Sequence, residues 1–128
     1  MNLTKTAPFA AAAAALLVSI ACAAASSAPG KVVDGALVTP AGNTLHVFDK
    51  DTPASGKSAC NGPCATAWPP LAAAAGDTAQ GPWSIVTRDD GSRQWAYDGK
   101  PVYTFQKDEK PGDRTGDNFK GVWHVMKP

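Results

Sequence analysis

From residue 32 onward, apolar and polar positions alternate in short stretches broken every few residues by glycine, proline or aspartate, the pattern of short β-strands. The β-branched run at 32–38 is interrupted by Asp34-Gly35. Pro40-Ala41-Gly42-Asn43 then supplies turn chemistry before 44–48, so a hairpin is expected. Residues 83–88 are apolar, Asp89-Asp90-Gly91-Ser92 is a turn, 94–97 alternates, and Asp98-Gly99 turns the chain again. Asp-Gly is a strong hairpin signal, because both central positions of such a turn favour positive φ. Pro101 opens a strand through 105, where a missing N–H is tolerated. The last strand is expected at 121–126.

One short helix is expected. Pro63 at a first-turn position, with Asn61 or Gly62 as cap, starts Cys64-Ala65-Thr66-Ala67-Trp68, and Pro69-Pro70 stops it. Residues 72–81 have no apolar period, and 107–120 is a polar loop, so both should lie on the surface. The fold class is therefore mainly β, a small antiparallel domain.

The chain also repeats itself. His46-Val47-Phe48-Asp49-Lys50-Asp51 matches Tyr103-Thr104-Phe105-Gln106-Lys107-Asp108, and a tryptophan follows each: Trp68 twenty residues after Phe48, Trp123 eighteen after Phe105. This predicts two related supersecondary units on one core, copy one at about 32–71 and copy two at about 83–128.

The amino terminus carries Lys5, then an uncharged stretch at 9–25 rich in alanine and leucine, then small residues and Pro29-Gly30. That is the form of a secretory signal peptide covering 1–25, ahead of a mature domain at 26–128. Both Ala21-Cys22-Ala23 and Ala23-Ala24-Ala25 offer a small-x-small cleavage site. A lipoprotein leader ending before Cys22 is the alternative, with Cys22 lipidated and the domain tethered to a membrane through acyl chains only. Ser19 departs from the leucine-like residue usual three places before such a cysteine.

Losing Lys5 brings the twelve basic residues level with the eleven acidic ones. With no basic run left, nucleic acid is not an expected partner. About a hundred residues suffice for one core. Cys60 and Cys64 remain as an even pair suited to an oxidising compartment, and a bridge between them would contribute on the order of 2 kcal/mol. A redox role is the other reading, because Cys64 sits at a helix start. The spacing is not that of a thioredoxin-like motif, and no histidine follows Cys64 for haem attachment.

At this point the chain resembles a known family. Residues 45–51, 60–71, 88–97, 101–108 and 111–124 are similar to predicted bacterial lipoproteins that carry a secreted repeat with a Tyr-x-aromatic-x-x-Asp motif. Copy two keeps the motif as Tyr103, Phe105 and Asp108, whereas copy one has His46 in the tyrosine position, with Phe48 and Asp51 following. The resemblance implies an envelope location and no established activity.

Two further constellations could carry chemistry. His46, His124 and Met126 are candidate copper-type ligands, since Met126 shares a strand face with His124. Asp108, Glu109, Asp113, Asp117 and Asn118 could offer oxygen ligands to Ca²⁺ but lack the EF-hand order. Asp108 and Asp51 are expected instead to accept backbone N–H groups after their strands. Phe48, Phe105, Trp68 and Trp123 are expected in the core, and Trp95 or Tyr97 as the exposed aromatic. No nucleophile stands in a recognisable catalytic frame, and Glu109 is the only glutamate.

The expected function is thus a non-enzymatic exported envelope protein without cofactor. It would lie in the periplasm, at the outer membrane or outside the cell, and act as a binding or interaction module for an envelope protein or small ligand. A periplasmic metal-binding or thiol-redox protein is the alternative.

Overall fold

The computed structural model describes residues 28–128. The leader, Lys5 and Cys22 lie outside the described residues. In chain order the elements are β1 (Lys31–Val33), β2 (Ala36–Val38), β3 (His46–Phe48), α1 (Pro63–Ala67), β4 (Trp83–Thr87), β5 (Arg93–Tyr97), β6 (Lys100–Pro101) and β7 (Trp123–Val125). All strand pairing is antiparallel: β1 with β2, β3 with β7, and β4-β5-β6 as a three-stranded sheet. The protein is therefore mainly β, as the alternation predicts.

Turn chemistry fixes two of these pairings. Asp34-Gly35 joins β1 to β2 with φ of 50° and 75°, and Asp98-Gly99 joins β5 to β6 with 48° and 79°. Positive φ at both central residues gives the twist that a two-residue hairpin needs. The helix begins at Pro63 with Gly62 ahead of it at φ 58°, which selects the glycine over Asn61 as cap. It ends with the bond from the Trp68 N–H to the Cys64 carbonyl (2.8 Å), before Pro69-Pro70. Among the described residues, no helix is long and apolar enough to cross a membrane.

Two expectations need correction. Residues 101–105 do not run as one strand. β6 stops at Pro101, and Tyr103 instead bridges to both His46 and Pro70. Trp95 is not exposed but 5 % accessible, and Tyr97 is half-buried against Trp83, ring centroids 5.0 Å apart. β5 is the middle strand of its sheet, and both of its faces are covered: Trp95 and Tyr97 pack on Trp83, while Gln94 and Ala96 are fully buried on the other side.

Apolar side chains collect in two clusters. Leu37, Leu45, Trp83, Trp95, Val102 and Met126 form one; Cys60, Trp68, Tyr103, Phe105 and Trp123 form the other. Each draws residues from both copies.

Candidate functional site

His46 and Tyr103, the first residues of the two motifs, face each other. The His46 N–H donates to the Tyr103 carbonyl (2.7 Å), and the Tyr103 N–H donates to the His46 carbonyl (2.9 Å). Equivalent residues exchanging equivalent bonds put an approximate two-fold axis between them. Bonds farther out obey it. Asp49 N–H to Val122 carbonyl (2.8 Å) matches Gln106 to Ala67 (3.0 Å). Leu37 to Met126 (2.8 Å) matches Trp95 to Leu71 (2.8 Å), and Met126 to Leu45 (2.9 Å) matches Leu71 to Val102 (3.1 Å).

The aromatic residues follow the same axis. Phe48 stacks on Trp123 (4.2 Å), Trp123 on Trp68 (3.8 Å, 5° between planes), and Trp68 on Phe105 (4.0 Å). Each copy's phenylalanine therefore stacks on the other copy's tryptophan, and the two tryptophans meet at the centre. Edge contacts of His46 with Trp68 and of Tyr103 with Trp123, both at 5.2 Å, close the stack at the sides.

The motif carboxylates cross over too. Asp51 accepts the Tyr103 hydroxyl through Oδ2 (2.5 Å) and the Ala59 N–H through Oδ1 (2.6 Å). Ser58 Oγ lies 2.6 Å from the same hydroxyl and accepts from Arg88 Nη1 (2.9 Å). That nitrogen also reaches Gln94 Oε1 (2.7 Å), and Arg88 Nη2 donates to the Cys60 carbonyl. The whole chain of groups is buried. Burial pushes the Asp51 carboxyl above its usual range, against the Tyr103 hydrogen bond, the Ala59 N–H and the Arg88 charge. Burial and the bond to Asp51 raise the Tyr103 hydroxyl.

Copy one places His46 where a phenol would stand, and the contact changes. Asp108 accepts the Thr115 N–H through Oδ1 (3.0 Å), but its Oδ2 lies 3.9 Å from His46 Nε2. Neither ring nitrogen of His46 has a hydrogen-bond partner, and the residue is fully buried. Desolvation holds the imidazole below its ordinary pKa, although Asp108 and Asp117 pull the other way.

The copper-type ligand set is not brought together. His46 pairs with Val125 and Val47 with His124, so His46 lies on one face of the β3–β7 ribbon and His124 and Met126 on the other. Met126 is core, whereas His124 Nε2 lies 2.8 Å from Asp49 Oδ2 at the surface. The acidic loop also spreads its carboxylates: Asp113 accepts the Glu109 and Lys110 N–H groups, and Asp117 accepts that of Val125. Cys60 and Cys64 are joined in a disulfide, with Cys60 fully buried beside Trp68.

Sequence reasoning missed Ser58, Arg88 and Gln94. The signal for Ser58 is present, since Ser58 and Thr115 are hydroxyl residues placed alike, seven after their motif aspartates. Arg88 and Gln94 carry none, because a lone cation at a strand end reads as solvated.

Among the surface concavities, one of about 380 Å³ opens onto the aromatic stack between α1 and the turn at Phe119–Gly121. Ala67, Trp68, Phe119 and Trp123 contribute apolar surface, with Lys107 and Lys120 beside them, and no acidic side chain lines it. A larger hollow of about 530 Å³ near Asn61 and Arg93 carries both signs of charge, including Asp89 and Asp90.

Neither a curated protein nor a solved structure matches the chain. A family model described as a secreted repeat of unknown function matches twice, at residues 31–72 and 84–127, and these segments are the halves related by the axis between His46 and Tyr103. Covering well over half of the chain in two copies, that match establishes that the protein belongs to this secreted-repeat family.

Proposed function

We propose that the exported domain is a non-enzymatic binding module of the cell envelope, periplasmic or held at the outer membrane through a lipidated Cys22. Its ligand site is the groove between α1 and the Phe119–Gly121 turn. The observation that carries this reading is the fate of the reactive groups. Asp51, Ser58, Arg88, Tyr103 and His46 are all buried, and the first four are engaged with one another. A catalytic group must touch its substrate. Tyr103 and His46 have no exposed surface, and Asp51, Ser58 and Arg88, at 8, 6 and 5 % exposure, are committed to internal hydrogen bonds, which favours binding over catalysis.

The groove joins the half-buried Phe119 ring and the edges of Trp68 and Trp123 to two lysines without a carboxylate, which suits a small ligand with an apolar body and one anionic group. Anilinonaphthalene sulfonate is a direct probe, with tryptophan fluorescence as readout because Trp68 and Trp123 line the site. Saturable binding is expected, weakened about tenfold by Lys107→Glu with Lys120→Glu, or ~1.4 kcal/mol. A neutral naphthyl analogue should not respond to that charge reversal. Sulfonate binding that is absent, or indifferent to the lysines, would refute the assignment.

A further inference from the structure

The two ring-to-carboxylate contacts across the axis occupy equivalent places but differ in chemistry. On one side the Tyr103 hydroxyl reaches Asp51 and Ser58. On the other, the His46 imidazole is sealed in with both nitrogens unpartnered, facing an unpartnered Asp108 Oδ2 at 3.9 Å, and Thr44 Oγ1 is buried and unpartnered nearby. A phenol keeps one charge state across the pH range met outside a cell. An imidazole does not.

We infer that His46 makes one half of the contact between the repeats acid-sensitive, so that proton uptake by its ring loosens the His46–Tyr103 backbone pair while the Tyr103–Asp51 half stays closed. When neutral, the ring packs edge-on against Trp68 and Phe105 at 5.2 and 6.2 Å. When protonated, it carries charge into an enclosure walled in part by those two rings, with Asp108 Oδ2 3.9 Å away and not in hydrogen-bond contact.

The surroundings decide the sign. The charged groups turned toward the ring are Asp108, after the second motif, and Asp117, ahead of β7; both favour the imidazolium. The carbonyls of Tyr103 and Thr44 also favour it, lying near the ring but outside hydrogen-bond geometry. The end of α1 and the 103–105 segment present only Trp68 and Phe105. Burial outweighs the attraction, leaving the folded-state pKa below the ordinary imidazole value of 6.5. Stability is therefore untouched above pH 6.5 and is lost as the pH falls from there toward the folded midpoint. Inside that window the ratio of loosened to closed protein rises about tenfold per pH unit, the slope set by one proton.

The protein has two histidines, so ring-proton NMR of the exported protein resolves them without ambiguity. The His46 resonance is expected to titrate with a midpoint below 6.5. Over the same interval, amide exchange at His46 and Tyr103, corrected for intrinsic rate, should accelerate about tenfold per pH unit. The Trp95 amide, bonded to Leu71 away from the axis, should not follow. His46→Phe should abolish the effect, and His46→Leu serves if the phenylalanine variant fails to fold. A His46 midpoint at or above 6.5, protonation without faster exchange, or the same acceleration in the variants would overturn the inference.

Discussion

Removing the hydroxyl of Tyr103 and removing the imidazole nitrogens of His46 are equivalent operations on the two halves, yet they should have different consequences. In Tyr103→Phe, Asp51 Oδ2 loses its 2.5 Å donor and Ser58 a 2.6 Å partner, both in the interior. Taking one hydrogen bond from a buried charged group costs about 1.5–3 kcal/mol. For a domain of this size that corresponds to a fall in Tm of roughly 10–20 °C. His46→Phe removes two nitrogens that bond to nothing and replaces desolvated polar atoms by carbon, so its cost should stay under about 1 kcal/mol.

The pH dependence sharpens this comparison. Asp51 has a folded pKa above the ordinary aspartate value of 3.8, so ionising it costs the folded state: its contribution is best below pH 3.8 and declines as pH rises through the folded midpoint. The Tyr103 hydrogen bond is the chief influence holding that midpoint down. Tyr103→Phe should therefore raise it further, and the deficit against wild type should grow with pH over this interval. Urea unfolding followed by tryptophan fluorescence at pH 7 and pH 4 measures both effects. Equal losses in the two variants at pH 7, or a His46→Phe protein less stable than Tyr103→Phe, would refute the account of the crossed contacts.

Two other substitutions test the aromatic stack and its surroundings. A Cβ at Gly116 would come within 2.5 Å of the Trp68 ring and 3.0 Å of Phe105, and both rings are fixed by stacking, so Gly116→Ala should lower stability by about 1–3 kcal/mol in thermal unfolding. Replacing Cys60 and Cys64 together with alanine should cost on the order of 2 kcal/mol in the same assay, and reductant should change the wild type but not this variant.

Much of the fold was legible in the sequence because it is specified locally. Asp98-Gly99 places one hairpin turn, and Pro63 with Pro69-Pro70 brackets the helix, whereas Asp34-Gly35, which reads as a break within one run at 32–38, is itself the hairpin turn between β1 and β2. The repeat was legible from the spacing of Phe48 and Trp68 against Phe105 and Trp123. The partners were not. Spacing says that Phe48 and Phe105 are equivalent, but it cannot say that Phe48 stacks on Trp123 and not on Trp68. Trp95 was misplaced because alternation reports one covered face, whereas a middle strand with large residues on both sides has two. Arg88 escaped because its burial depends on partners far along the chain, Ser58 and the Cys60 carbonyl.

The crossing of contacts explains why two copies make one domain. A segment of about forty residues has too little interior to fold alone. Here each half also lacks the ring on which its own phenylalanine rests and the donor or acceptor that its own motif ring faces. Stability therefore resides in the joint: the stack through Trp68 and Trp123 and the bonds exchanged by His46 and Tyr103 form only when both halves are present. A sequence change in one copy is felt by the other. The replacement of a tyrosine by His46 accordingly alters the setting of Asp108, sixty-two residues away in the opposite repeat, and leaves Asp51 in its own repeat bound as before.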